Sequence, residues 1–257
     1  MRMEIQDLSC GYQGAVVRNV TLNVDAGELW CVLGPNGVGK TTLFKTFLGL
    51  LKPLGGRVLF DGKDLHRWRH KELAKRIAYV PQSHEPPFPF LVEEVVAMGR
   101  NPHQSLIGRM RAEDRAAVDG ALSLLGIGHL RGARYTRISG GERQLTLLAR
   151  AIAQETAMLV LDEPTANLDF GNQARVLTSI CALARDLKKT LVMTTHVPDH
   201  GFLPDCKVIM LSKDGPHRAG PGQEVVTEEA IRNLYHIENR IIHVKEYGKR
   251  TCIPLYP

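Results

Sequence analysis

Along the chain, short apolar runs alternate with stretches in which apolar residues recur every three to four positions, and Gly or Pro marks most of the joints. Met3–Leu8 (MEIQDL) alternates apolar and polar residues, the pattern of an edge-type strand with one buried face. Thr21–Val24 is a second strand candidate, followed by a turn at Gly27-Glu28. Leu29–Leu33 (LWCVL) is apolar without interruption, as expected of a strand buried on both faces. The glycine-rich run GPNGVGKTT comes directly after it, and Leu43–Leu51 then carries Leu and Phe at helical spacing. Pro53–Gly62 (PLGGRVLFDG) reads as turn, strand, turn, which predicts a small antiparallel portion flanking the first half. His66–Arg76 is predicted as a basic helix, Ile77–Val80 as a strand, and Pro81 to about His103 as a Pro- and Phe-rich loop leading into a short helix. Helices are expected at Ala112–Leu125, Gly140–Ala153 and Arg175–Leu187, and strands at Met158–Leu161, Thr190–Thr194 and Lys207–Leu211. In the tail, Thr227 can cap a helix running to Tyr235, and Ile241–Val244 and Thr251–Leu255 can pair as a hairpin. Strands alternating with helices imply an α/β sheet, largely parallel at its centre, and the block from about 83 to 153 reads as a helical lobe between two β-rich portions.

At 257 residues the chain suits one large domain or two small ones, at roughly 150 residues per domain. Hydrophobic residues make up 44% and charged residues 23%, which excludes a disordered, collagenous or disulfide-scaffold protein. The formal charge of +6 suits an acidic ligand or a membrane surface and demands neither. No apolar run approaches the roughly 20 residues needed to span a bilayer, and the start MRMEIQDLSC lacks the apolar stretch of a signal peptide. Work at a membrane is therefore expected from its cytoplasmic side. The five cysteines lie far apart with no CxxC pair, so reduced, partly buried thiols are expected.

Three motifs carry chemistry. Gly34-Pro35-Asn36-Gly37-Val38-Gly39-Lys40-Thr41, followed by Thr42, fits GxxxxGK[ST] in full and sits between a predicted buried strand and a predicted helix. Its glycines let backbone N–H groups turn inward around phosphate oxygens, and the helix adds its positive N-terminal end. Lys40 can reach the β and γ phosphates, and the Thr41 hydroxyl can ligate Mg²⁺. The second motif, MLVLDEP, delivers Asp162 at the end of a buried strand as a Mg²⁺ partner, with Glu163 next to it as a base that polarises water. The third, Ile138-Ser139-Gly140-Gly141-Glu142-Arg143-Gln144, again exposes N–H donors at a helix head, with Ser139 as an extra donor to phosphate.

The set of Walker A loop, Gln82 after a strand (YVPQ), ISGGE, LVLDEP, Ala166–Asp169 and His196 (MTTH) resembles an ABC-transporter ATP-binding subunit. The resemblance covers roughly residues 3–245, and it implies a single ABC ATP-binding domain over 1–257 with the P-loop NTPase fold of ABC ATPase type: a mixed central sheet, an antiparallel β portion, a helical lobe and a C-terminal helix and hairpin at about 227–255. By the same resemblance Tyr12 stacks on adenine, Gln82 touches Mg²⁺ and water, Asp169 ends the loop that crosses a dimer, and His196 is the switch histidine near the γ-phosphate. ATP and Mg²⁺ are the implied cofactors. Each of two sites would lie between the Walker loop of one copy and the ISGGE turn of the other. Glu142 stands where Gln is commoner in the signature, Ile138 where Leu is, and Val38 where Ser is frequent.

The stretch Phe88–His103 (FPFLVEEVVAMGRNPH) and the tail Thr227–Val244 resemble the ATPases of importers for iron–siderophores, haem and vitamin B12, a signal shared with molybdate importers. That subgroup implies a homodimer beneath transmembrane permease subunits, at the cytoplasmic face of the cell membrane, served indirectly by a periplasmic or extracellular substrate-binding protein. Phe88, Phe90 and Val92 are candidates to meet a permease helix, or else to pack under the helical lobe. A soluble ABC ATPase without a permease, as in iron–sulfur-cluster assembly, would share the nucleotide motifs and remains the alternative. A nucleic-acid ABC protein would need a long coiled coil or two fused ATPase units, and the chain has neither, so no nucleic acid is expected.

Overall fold

The computed structural model describes residues 1–82, 88–104, 110–213 and 217–256. Residues 83–87 and 105–109 of the predicted helical block lie outside the described residues. In chain order the elements are β1 (Arg2–Cys10), β2 (Val17–Asp25), β3 (Leu29–Leu33), α1 (Lys40–Phe47), β4 (Gly55–Phe60), β5 (Lys63–Asp64), α2 (His70–Leu73), β6 (Ile77–Val80), α3 (Val92–Ala97), α4 (Ala112–Leu124), α5 (Gly140–Ala153), β7 (Met158–Leu161), α6 (Phe170–Arg185), β8 (Thr190–Thr195), β9 (Cys206–Met210), β10 (Arg218–Pro221), α7 (Gly222–Val225), α8 (Glu228–Tyr235), β11 (Asn239–Val244) and β12 (Lys249–Pro254). They divide into two compact units, one made of Met1–Arg67 with Lys188–Pro257 and the other of Trp68–Leu187.

In the first unit, β2, β1, β4 and β5 form an antiparallel sheet in that order. Alternation in β1 buries Met3 and Ile5, which pair with the buried Val24, Leu22, Val58 and Phe60 of the neighbouring strands, and after a register shift Leu8 is buried opposite Val20. The predicted antiparallel portion is therefore β4, in register with β1 from Met3↔Phe60 to Gln6↔Arg57. A second layer sets β3 between β8 and β9, both parallel to it, with β10 antiparallel on the far side of β9. All five residues of β3 are buried, as an uninterrupted apolar run between two strands requires. The tail supplies α8, capped by Thr227 Oγ1 accepting from the Ala230 N–H at 3.1 Å, and the β11–β12 hairpin.

The second unit pairs β6 with β7 in parallel, from Ile77↔Met158 to Val80↔Leu161. Its helices share a core in which Val92, Val95 and Val96 of α3 and Val118, Ala121 and Leu122 of α4 are buried with Leu145 and Leu148 of α5. Truncating any of these leucines to Ala is expected to cost about 2–5 kcal/mol. An ion pair is buried in the same unit: Arg100 Nε donates to Asp114 Oδ1 at 2.9 Å, and Arg100 Nη1 to the Ala153 carbonyl at 2.7 Å. Burial pushes the Asp114 carboxyl up, but the Arg100 guanidinium, joined by the Arg111 N–H and charge, outweighs it and holds the group below the usual carboxylate range.

Some elements differ from the sequence pattern. The basic helix expected over His66–Arg76 is one 3₁₀ turn, Leu65–Arg67, and the single helical turn α2. Arg69 between them is extended, with ψ at 138°, and only Leu65 and Leu73 are buried there. That face is too thin to offset the cost of nucleating a longer helix. The helix α6 begins at Phe170, ahead of the expected Arg175, because Asp169 caps it by accepting from the Asn172 N–H at 2.8 Å. Val92 is fully buried at the start of α3, with its N–H on the Ala133 carbonyl, so it packs under the helices, whereas Phe88 is 62% exposed.

Candidate functional site

The phosphate loop hangs from the end of β3 and feeds α1. Gly39, the N-cap of α1, has φ at +105°, and a Cβ placed there would stand 2.6 Å from Val17 Cγ2. Only glycine satisfies both the left-handed backbone and the contact with β2. Gly34 donates its N–H to the Thr195 carbonyl at 3.2 Å, which ties the start of the loop to the end of β8, one residue before His196. Lys40 is buried, and its Nζ donates to the carbonyls of Gly34 and Pro35 at 2.8 and 3.2 Å, so the cation lies inside the curl of the loop. Asn36, Gly37 and Thr41 are exposed, Pro35 and Thr42 half-buried, and Val38 is packed inward. Tyr12 is 63% exposed, accepts a hydrogen bond on its hydroxyl from Lys45 Nζ at 2.9 Å, and has that same ammonium 5.6 Å from its ring centroid. Its open ring face lies beside the helix that follows the loop.

His196 is exposed at the end of β8, and its carbonyl accepts a hydrogen bond from the Tyr235 hydroxyl at 3.0 Å. The run after it, VPDHGFLPDC, forms a 3₁₀ turn over Pro198–Phe202. The buried His200 ring pairs through Nδ1 with the Thr195 hydroxyl at 2.7 Å. Burial lowers the His200 pKa to about 4, with Asp199 opposing the shift and His196 adding to it.

The second unit holds the remaining residues. Asp162, at the end of β7, is 2% exposed, and its Oδ2 accepts from the Tyr79 hydroxyl at 3.4 Å. Burial, reinforced by the Asp162 charge, pushes the Tyr79 phenol up to about 12, so it stays a donor at any physiological pH. Glu163 is 9% exposed with φ at +44°, a left-handed conformation that costs a non-glycine residue about 1 kcal/mol or more. Its Oε2 accepts from Gln82 Nε2 at 3.0 Å, so the glutamine amide is engaged with the candidate base.

At the head of α5, Ser139 Oγ accepts from the Glu142 N–H at 3.3 Å while Glu142 Oε2 accepts from the Ser139 N–H at 2.8 Å. This reciprocal capping explains how Glu142 is accommodated in the signature. The Ser139 N–H holds the Glu142 carboxyl below its usual range and is thereby occupied; Ser139 and Gly140 are exposed, and Gly141 is buried. A Cβ on Gly141 would stand 2.3 Å from Asn172 Cγ, and Asn172 Nδ2 donates to Asp169 Oδ2 at 2.8 Å. The signature turn and the loop ending at Asp169 are thus locked together through Asn172.

Among these partners, Tyr79, Asn172 and Tyr235 were not singled out by sequence. Tyr79 lies in YVPQ and Asn172 three residues past Asp169, so motif proximity was an available signal. Tyr235 acts on a backbone carbonyl, which leaves no mark in the residue pattern.

The sequence model of the ABC transporter family matches residues 17–166. Ferric enterobactin transport ATP-binding protein FepC of Escherichia coli (strain K12) is 35% identical over 255 residues, covering 99% of this chain and 94% of its own. Iron(3+)-hydroxamate import ATP-binding protein FhuC of Bacillus subtilis (strain 168) is 32% identical over 98% of this chain and 94% of its own. Among solved structures, an ABC transporter described as of metal-chelate type, in an inward-facing conformation, superposes with a TM-score of 0.87 at 31% identity, covering 99% of this chain and 97% of that one. With the glycine loop, the buried Asp162–Glu163 pair and the capped signature turn in place, these matches show that the chain belongs to the ABC transporter family as one of its ATP-binding, ATP-hydrolysing subunits.

Proposed function

We propose that this subunit powers an importer of metal chelates, taking iron–siderophore, haem, cobalamin or a related chelate or oxyanion as cargo. The observation that carries the reading is the extent of the likeness, which runs through the carboxy-terminal helix and hairpin as well as the nucleotide motifs: FepC, FhuC and the metal-chelate type transporter each match at least 98% of the chain. In this reading two copies act beneath two permease subunits at the cytoplasmic face of a membrane, and a substrate-binding protein delivers cargo to the permease. No helix among the described residues is long and apolar enough to cross a bilayer, which agrees with peripheral attachment.

The residues divide the chemistry as follows. Tyr12 offers a ring face to adenine, since its flat apolar surface needs no base-specific hydrogen bond. Lys40 exchanges two neutral carbonyl acceptors for phosphate oxygens, a charge-assisted and stronger pairing. Glu163 polarises the attacking water, and Gln82 holds its carboxylate in place. Ser139, Gly140 and Gly141 present donors to the γ-phosphate bound by the partner copy, and Asp169 sets the loop that reaches that copy. Thr41 and Asp162 would each offer Mg²⁺ the hard oxygen donor it prefers, and Gln82 an amide oxygen; the ion would neutralise phosphate charge.

Reconstituted with its permease in vesicles, the wild-type chain should drive ATP-dependent uptake of a metal chelate. Lys40→Ala should lower nucleotide affinity and hydrolysis by roughly a hundred-fold or more, because positioning and charge neutralisation carry most of this reaction. Normal hydrolysis by Lys40→Ala would overturn the site. Failure of the chain to co-purify with any permease, with hydrolysis intact, would favour a soluble ABC ATPase.

A further inference from the structure

The carboxy-terminal elements grip the loop that carries His196 at two points. Tyr235, the last residue of α8, donates its hydroxyl to the His196 carbonyl at 3.0 Å. Three residues further along, the Asp199 carboxylate accepts from the Thr251 hydroxyl at 2.8 Å and from the Cys252 N–H at 2.7 Å, both on β12. The loop is also braced by its flanking residues: Thr195 Oγ1 accepts from the Val197 N–H at 3.0 Å and pairs with the buried His200 ring. The strand end is tied in turn to the first glycine of the phosphate loop, Gly34.

The His196 side chain is exposed, and its Cα and Cβ are carried by this braced backbone. A group that must meet a phosphate oxygen tolerates displacement of only about half an ångström, so whatever fixes that backbone fixes the contact. We propose that Tyr235 is a positioning residue for His196, and that α8 with the β11–β12 hairpin is a clamp setting the switch histidine against the γ-phosphate. This rests on the switch role that the family resemblance implies for His196. The clamp acts on the rate of the chemical step and leaves nucleotide affinity to the phosphate loop. Asp199 and Tyr235 secure the two ends of one segment, so weakening either has the same kinetic signature.

The test measures single-turnover ATP hydrolysis, nucleotide Kd and melting temperature for the purified chain carrying Tyr235→Phe, His196→Ala or both. Phenylalanine keeps the ring and removes the hydroxyl. The expected result for Tyr235→Phe is a fall in the hydrolysis rate of about five-fold, equivalent to about 1 kcal/mol, with nucleotide Kd unchanged. Alanine at 196 retains the carbonyl that Tyr235 binds, so the hydroxyl should matter only while the imidazole is present. Tyr235→Phe should therefore add nothing to His196→Ala. A second variant, Thr251→Val, should slow hydrolysis in the same way and be equally silent on His196→Ala. An unimpaired Tyr235→Phe beside an impaired His196→Ala overturns the clamp alone. So does an equal further loss when Tyr235→Phe is combined with His196→Ala, since that marks a general structural effect. Normal hydrolysis by His196→Ala overturns the role of His196 and the clamp with it.

Discussion

At the scale of single residues, His200 shows how burial sets protonation. Its ring is 6% exposed and bonded to Thr195, and its pKa of about 4 keeps it neutral through the physiological range. In the unfolded chain the same ring protonates near the ordinary value of about 6.5. Between those two values the unfolded state binds more protons, so stability falls as pH drops from about 6.5 to about 4. From pH 7 to pH 5 the loss attributable to this ring is about 2 kcal/mol. His200→Gln, which can still bond Thr195, should remove that part of the pH dependence in urea unfolding; an identical loss in both proteins would rule it out. Glu163 is a different case, a carboxylate placed by a strained backbone at φ +44° and by the Gln82 amide. Its position two residues past a buried strand was legible from MLVLDEP, whereas the strain and the Gln82 contact are properties of the folded backbone and were not.

Among the elements, those whose bounds were legible are the ones whose residues leave little choice. Leu29–Leu33, Ile77–Val80 and Met158–Leu161 are short apolar runs with a glycine loop, a proline or an acidic pair at their ends, and all three are strands with those bounds. Gly140–Ala153 was readable because its capping serine and glycines precede an apolar stripe. By contrast β10, Arg218–Pro221, has no strand pattern; it is extended because its backbone pairs with β9. The start of α6 was hidden because its buried apolar face begins at Val176, while the cap seven residues earlier is a single Asp. That cap connects two elements. Gly141→Ala would drive a methyl group into Asn172 and loosen Asp169, and losing such a cap costs about 0.5–2 kcal/mol. Hydrolysis should fall by about ten-fold, the equivalent of 1.4 kcal/mol. Asn172→Ala, which opens the space and keeps the backbone N–H bonded to Asp169 while losing the side-chain bond, should restore part of the loss when combined with Gly141→Ala. A double variant no better than Gly141→Ala would show that Asn172 is not the obstacle.

For the molecule as a whole, the sequence pattern carried the α/β class and the nucleotide motifs, because glycine and charge positions are dictated by local backbone needs. It left open which apolar residues face a partner. Val92 is core, while Phe88 is exposed and meets Phe90 edge to face at a centroid distance of 6.0 Å. An exposed aromatic ring backed by a half-buried one suits the centre of a protein interface. Phe88→Asp should leave melting temperature and basal hydrolysis unchanged while reducing permease capture by ten-fold or more, about 1.4 kcal/mol. Undiminished capture would move the permease contact elsewhere. The order of strands has a further consequence during synthesis. The first unit is built from residues before 68 and after 187, and β3 is flanked by β8 and β9, which the ribosome makes some 160–180 residues later. At about 5–20 residues per second that interval is roughly 10–35 s. Through it, the nascent chain must keep LWCVL shielded from other chains, and the glycine loop that follows it, though among the first segments translated, acquires its supporting strands among the last.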